Sequence, residues 1–238
     1  MPTLGIIGSG NIGTAVARLA VAAGMNVVMA NSRGPETLSD LVAELGPLAR
    51  AGTVEDAAKL GDAVVLSIPL KAVQDLPDGL LEGKIVLDTS NYYPSRDGRI
   101  AELDDNTVTT SELVRRWIPG ARYVKAFNNI MAHHIPLLAR PGGAEDRSAL
   151  PIASDDEQAK AEAAALLDLL GYDVVDAGTV AESWTFEPDS AGYTRLYLAD
   201  ESTPDEQLMS SVPGATSKEK VESALESATR VNVAERVF

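Results

Sequence analysis

Along the first half of the chain the spacing of apolar residues switches back and forth between two periods. Short β-rich runs at Thr3–Ile7, Asn26–Ala30, Ala63–Ser67, Lys84–Asp88 and Arg122–Ala126 alternate with stretches whose apolar residues recur every three or four positions. Between the first two runs, Ile12, Ala15, Val16, Leu19 and Ala20 form one such stripe, and Gly24 stands where a glycine ends a helix. Pro35–Leu45 reads as a second helix with proline at its first position. A short strand near Leu48–Ala51 and a helix over Val54–Leu60 follow. Strands alternating with helices in this way predict an α/β fold, a Rossmann-type doubly wound and mainly parallel sheet.

Past Ala126 the rhythm loosens. Leu150–Ser154 and Tyr172–Asp176 read as strands around a helical run, Asp155–Leu170, that ends at Gly171. Asp155, Asp156 and Glu157 lie at the start of that run, where the helix dipole favours acids. These elements are expected to extend the same sheet. From Glu187 onward the pattern is poor, with prolines at 188, 204 and 213, and a polar helix is expected around Ser217–Thr229. The organisation predicted is a Rossmann domain over residues 1–178 and a C-terminal extension over 179–238 acting as lid or dimer contact. Trp184, Phe186, Tyr193 and Tyr197 are candidates for a lid, a subunit contact or plain core packing.

The turn after the first strand carries three glycines in the sequence Gly8-Ser9-Gly10-Asn11-Ile12-Gly13. Each has a physical task in a dinucleotide site: a tight turn at Gly8, close approach of backbone to pyrophosphate at Gly10, and close packing of helix on strand at Gly13. The helix opening near Asn11 aims its unpaired amides at the phosphates. A glycine loop alone is weak, but this one follows an apolar strand and opens an amphipathic helix, which is the context that gives the motif meaning. After the second strand, where an acid would hold the ribose 2′-hydroxyl of NAD, the chain has Asn31-Ser32-Arg33 and no acid before Glu36. A serine hydroxyl and an arginine fork suit a 2′-phosphate, so NADP(H) is the expected cofactor, with Ser32 and Arg33 at that phosphate.

Composition narrows the partners. The chain of 238 residues is 45% hydrophobic and 23% charged, enough to bury a sizeable core. No stretch approaches the ~20 apolar residues of a membrane span, and no basic leader with a cleavage site opens the chain. Cysteine is absent, which removes thiolate nucleophiles and cysteine-based metal sites and fits a reducing compartment. A cytoplasmic protein is expected, with no metal centre. The net charge of −15 opposes nucleic acid and anionic membrane surfaces, while a local nest of amides can still hold a small phosphate. A homodimer is the default assembly.

Taken together, Gly5–Gly13, Asn31-Ser32-Arg33, Leu66-Ser67-Ile68-Pro69, Asp88-Thr89-Ser90-Asn91 and Val124-Lys125-Ala126-Phe127-Asn128 resemble the deazaflavin (coenzyme F420)-dependent NADP reductase family. They are also similar to the NADPH-binding domain of six-transmembrane ferric reductases. The resemblance covers roughly residues 3–185. It implies hydride exchange between NADPH and a second tricyclic cofactor, a deazaflavin or a flavin. It further implies that Ser9, Asn11 and Ile12 contact the diphosphate and that Ser32 and Arg33 contact the 2′-phosphate. Ser67, Ile68 and Pro69 would line the approach to the nicotinamide, with Ser90 and Asn91 further along, and Ala126, Phe127 and Asn128 would lie beside the ring. Phe127 and Asn128 with Pro69 are expected to shape a pocket where a second reactant stacks. The 60 or so residues after Gly178 do not map onto the short deazaflavin enzymes, and no transmembrane segments like those of the ferric reductases are found.

Direct hydride transfer between stacked cofactors needs placement and dryness more than an acid or base, so no catalytic side chain is assigned. A first rival is an NADPH-dependent reductase of a small carbonyl or imine, which needs a proton donor. Lys125, His133 and His134 are the candidates, although Lys125 also suits pairing with an acid. Adjacent residues on a helix diverge, so at most one of the histidines is expected to face a site. A second rival is a non-catalytic NADP(H) sensor.

Overall fold

The computed structural model describes residues 1–236. The first half runs β1 (Thr3–Ile7), α1 (Asn11–Ala22), β2 (Asn26–Ala30), a 3-10 turn at Pro35–Leu38, α2 (Ser39–Leu45), β3 (Ala49–Ala51), α3 (Val54–Leu60), β4 (Ala63–Leu66) and β5 (Ile85–Asp88). Three helices, α4 (Pro94–Asp97), α5 (Ala101–Asp104) and α6 (Thr110–Trp117), lead to β6 (Arg122–Lys125). The six strands lie in the order β3-β2-β1-β4-β5-β6 and every pairing is parallel. That is the doubly wound order, in which ligands settle outside the carboxyl ends of the strands where the winding reverses.

Alternation along the strands feeds two cores, one on each face of the sheet. Leu4, Ile6, Met29, Val65, Leu87 and Val124 meet α1, α2 and a later helix, Glu157–Leu169, on one side. Ile7, Val28, Val64, Leu66, Val86 and Tyr123 meet α3 and α6 on the other. Local capping fixes where the helices start: Thr53 and Asp56 close a capping box at α3, as Thr109 and Glu112 do at α6. Helix α6 spans only eight residues, and its start is marked by the capping box and its end by Arg115 and Arg116 in the last turn.

After β6 come α7 (Ile135–Leu138), β7 (Ala149–Ile152), α8 (Glu157–Leu169) and β8 (Asp173–Asp176). Strands β7 and β8 pair with each other in parallel but do not simply continue the main sheet. A single antiparallel bridge, Lys125 to Ala153, joins the two ladders. Extending that register would set Phe127 opposite Pro151. Phe127 has a positive φ of 59° and proline has no N–H to give, so the ladder stops after one bridge. The expected extension of the sheet is therefore a separate two-stranded ladder that meets the main sheet at one bridge.

The chain then makes 3-10 turns at Val180–Phe186, Thr194–Tyr197 and Asp205–Ser210 before α9 (Lys218–Ser227) packs on β7 and β8. Phe186 and Tyr197 are fully buried, so for these two aromatics core packing is what the fold uses. Among the described residues no helix is long and apolar enough to cross a membrane.

Candidate functional site

The phosphate loop sits at the carboxyl end of β1. Gly8 has φ +117°, its N–H donates to Ala30 O (2.9 Å), and a Cβ there would stand 2.0 Å from Ser67 O. A Cβ on Gly13 would stand 2.0 Å from Gly8 O. Gly10 differs from both. A Cβ there would meet no atom within 4 Å, so nothing in the protein requires glycine at this position. The open space is the cradle that backbone contact with a pyrophosphate would use. Helix α1 begins at Asn11 with Gly10 as N-cap, no capping side chain and no acid in its first turn. The first amides, those of Asn11 and Ile12 among them, are orphan donors at a positive dipole end.

Asn31 organises the neighbouring loop. Its amide nitrogen donates to Ser9 Oγ (3.2 Å) and Thr37 Oγ1 (3.0 Å), while its oxygen accepts the Arg33 N–H (3.0 Å). Phosphate loop and Ser32-Arg33 turn are thereby tied to one side chain. Ser32 and Arg33 are exposed, and among the described residues the Arg33 guanidinium makes no ion pair or hydrogen bond. The carboxylate of Glu36 lies against Gly34 instead. A free guanidinium beside a hydroxyl fits a 2′-phosphate.

At the end of β4, Ser67 N–H donates to Ile7 O (2.8 Å), and the Ile68 side chain would touch a Cβ placed on Gly8. Ser67, Ile68 and Pro69 thus border the loop directly. Beyond β5 and β6 the groups are buried and polar. Asp88 and Lys125 are both fully buried and pair at 3.0 Å. Asp88 also accepts Tyr123 O–H (2.7 Å), Ser90 N–H (3.1 Å) and Ser90 O–H (2.6 Å), and Lys125 reaches Ser90 O as well. Burial holds the Tyr123 phenol far above the ordinary tyrosine range. Lys125 is committed to an acid, and so is the Ser90 hydroxyl.

Asn91 and Asn128 interlock above this floor. Asn91 Nδ2 donates to Asn128 O (2.7 Å), and Asn128 Nδ2 donates to Asn91 Oδ1 (3.1 Å) and Phe186 O (2.9 Å). Those two acceptors fix which way the Asn128 amide points. They leave its buried Oδ1 without a donor among the described residues. Asn129 donates to Gly192 O (2.8 Å) and Tyr197 OH (3.2 Å).

Phe127 departs from expectation. Its left-handed backbone turns the ring inward, where it is fully buried and meets Tyr172 edge-on at 5.9 Å. The ring is not available for stacking, so only the backbone of Ala126 and Phe127 borders the crevice. A different aromatic pair, announced by no local sequence pattern, does form. Tyr93, from the exit of β5, and Tyr193, from the C-terminal extension, share a short hydroxyl–hydroxyl hydrogen bond, and Asn91 Nδ2 reaches Tyr193 OH at 3.4 Å. Burial raises both phenols above the ordinary tyrosine value, Tyr193 strongly. The Arg96 guanidinium lies 4.9 Å from the Tyr93 ring centre.

The histidines correct a second expectation. They lie on a turn, not a helix, and both face the same group: Nε2 of His133 (3.2 Å) and of His134 (2.9 Å) reach Ser211 O, with ring centres 4.1 Å apart. They hold the loop before α9. Burial lowers the His134 pKa.

Comparison with known proteins agrees with this geometry. Residues 3–92 match the family of coenzyme F420-dependent NADP oxidoreductases. An uncharacterised protein of Sinorhizobium meliloti, SMa0349, is 32% identical, with 79% of this chain and 91% of that one covered and a TM-score of 0.68. A candidate F420-dependent NADP reductase of Arthrobacter sp. FB24 is 26% identical over 77% of this chain and 87% of its own, with a TM-score of 0.64. The rat metalloreductase STEAP3 is 28% identical over 76% of this chain. This chain spans about a third of the length of the curated relatives it matches, 35% in the case of the rat protein. The chain resembles the coenzyme F420-dependent NADP oxidoreductase family, whose model it matches over residues 3–92.

Proposed function

We propose that the protein transfers hydride between NADPH and a deazaflavin or flavin-type acceptor, by direct stacking and without an essential acid or base. The dinucleotide would lie along Gly8–Gly13, Asn31–Arg33 and Ser67–Pro69, with its nicotinamide near Ser90, Asn91 and the Ala126–Asn128 backbone. When bound, it supplies or accepts the hydride. The observation that carries the reading is the state of Lys125: the one lysine at the exit of β6 is locked in a buried ion pair with Asp88. Reduction of a carbonyl or imine through Lys125, His133 or His134 would need groups that are engaged with Asp88 and Ser211. The family match and the Arthrobacter relative support an F420-type acceptor; the flavin alternative rests on the resemblance to the six-transmembrane ferric reductases.

A second reading has one observation in its favour. The Tyr93–Tyr193 pair could hand a phenolic proton to a carbonyl oxygen or imine nitrogen as hydride reaches the carbon. NADPH oxidation by the purified protein against coenzyme F420, free flavins, ferric chelates and a panel of carbonyls and imines decides between the two. Turnover with a tricyclic acceptor supports the first, and turnover of a carbonyl alone overturns it. Tight NADPH binding with no acceptor would point to a sensor. We further propose a cytoplasmic homodimer; light scattering of the purified protein tests the oligomeric state.

A further inference from the structure

Arg236 is an arginine whose side chain is 1% exposed, far from the phosphate loop in sequence and outside the family match. A guanidinium is buried at great cost unless its donors are used. Here they are. Nε donates to Asp189 Oδ2 (2.8 Å), Nη1 to Tyr92 O (2.8 Å) and Nη2 to Pro188 O (2.7 Å). The three acceptors come from two segments, the exit of β5 and the loop after Phe186. Each segment carries one member of the tyrosine pair. Tyr93 follows Tyr92 directly, and Tyr193 closes the loop that begins at Pro188.

The path to Arg236 is fastened along its length. Asn106 Nδ2 donates to Val231 O (2.9 Å), Arg99 Nη1 donates to Ala234 O (2.7 Å), and Val233 packs into the same core as Tyr92 and Leu103. Asp189 takes a positive φ of 70°, a conformation that costs energy for a non-glycine residue and is held here by its neighbours. On the opposite side the loop is pinned by Asn128 to Phe186 O and by Asn129 to Gly192 O.

We infer that Arg236 is a positioning residue for the acceptor: its fork locks the Pro188–Tyr193 loop onto the Tyr92–Tyr93 turn, so that residues 231–236 form the outer support of the acceptor wall. The inference rests on the proposed hydride transfer, with the acceptor beside Asn91, Asn128 and the tyrosine pair. Arg236 touches no reactant. Its effect is on where Tyr93 and Tyr193 stand.

The test compares the full-length protein with Arg236→Met, Arg236→Lys and Asp189→Asn. NADPH affinity, acceptor KM and kcat, and amide hydrogen exchange are measured for each. Arg236→Met is expected to reduce kcat/KM for the acceptor by about tenfold or more, since small misplacements of a reacting surface have effects of that size. NADPH affinity should stay within about twofold, because none of the Arg236 partners lies in the phosphate loop. Arg236→Lys should share most of the defect, as an ammonium cannot make the planar fork. Asp189→Asn, which keeps both carbonyl bonds, should be milder. Amides of residues 187–193 should exchange faster in Arg236→Met while those of α1 do not change.

Parallel loss of NADPH and acceptor, or unchanged acceptor kinetics in a folded Arg236→Met protein, would overturn the inference. If the parent protein turns over no acceptor, the proposed function fails, and the exchange data alone judge Arg236. Faster exchange confined to 187–193 then upholds its role in placing the loop, and unchanged exchange removes it.

Discussion

Replacing Gly10 with alanine should separate the fold from the function. Gly10 has φ −76° and ψ −172°, which alanine adopts without strain, and a methyl there meets no atom of the protein within 4 Å. Two small effects on stability oppose each other. Removing glycine's unfolded-state freedom stabilises by about 0.4–1 kcal/mol. Alanine is a poorer N-cap than glycine, by roughly 0.5–1 kcal/mol. The melting temperature should therefore move by no more than about 3 °C. Binding behaves differently, because the methyl occupies the space through which backbone amides approach a phosphate. Hydrogen bonds to a charged group are worth about 1.5–3 kcal/mol each, so loss of one weakens NADPH about 10- to 100-fold. Gly13→Ala is the control: its Cβ would stand 2.0 Å from Gly8 O, and overpacking of this kind costs about 1–3 kcal/mol. Thermal melts and NADPH fluorescence titrations of both variants decide the matter. A Gly10→Ala protein that binds NADPH like the parent would refute the placement of the pyrophosphate, and one that melts like Gly13→Ala would refute the reading of the open cradle.

Three further outcomes follow from the same geometry. Arg33→Ala should weaken NADPH far more than NADH, by about 1.5–3 kcal/mol for the lost charged contact, and equal losses measured by titration would move the 2′-phosphate elsewhere. Lys125→Met should cost about 3–5 kcal/mol of stability by stranding the buried Asp88 carboxylate, read by urea unfolding; a fully stable variant with turnover abolished would instead make Lys125 a proton donor. His134, whose pKa is lowered in the fold, is protonated more readily in the unfolded chain. Stability should thus fall as pH drops below about 6.5, and His134→Gln should flatten that slope; identical pH profiles from chemical denaturation would show that His134 does not contribute.

The donor half of the site is written in neighbouring residues, and it is the half the sequence discloses. Gly8 to Gly13 share one turn, Asn31 to Arg33 share another, and the strands that carry them are short apolar runs whose ends fall within a residue or two of those expected. The acceptor half is built from contacts that no local pattern records. Asn128 meets Phe186 O, Tyr93 meets Tyr193, and Arg236 meets Tyr92, pairs 58, 100 and 144 residues apart in the chain. The Phe127 ring escapes the sequence for a related reason. Nothing in Ala126-Phe127-Asn128 shows that the phenylalanine backbone is left-handed, and that single angle decides whether the ring faces the crevice or the core. The histidines show the same blindness: a helix would separate them, while a turn brings them onto one carbonyl.

This division bears on what the family shares and what it varies. Residues 3–92, the matched segment, contain the phosphate loop, the Asn31–Arg33 turn, Ser67–Pro69 and the exit of β5. The segments that the proposed reading sets against the acceptor from the other side lie beyond it, on β6, the 186–193 loop and residues 231–236. The two halves meet on a floor that does not depend on either ligand, because Asp88, Ser90, Tyr123 and Lys125 satisfy one another in a fully buried network. A rigid floor of this kind can hold a constant nucleotide while the wall above it is rebuilt. Substitutions on the floor should therefore damage stability first, those in the glycine loop cofactor affinity first, and those in the C-terminal wall acceptor kinetics first.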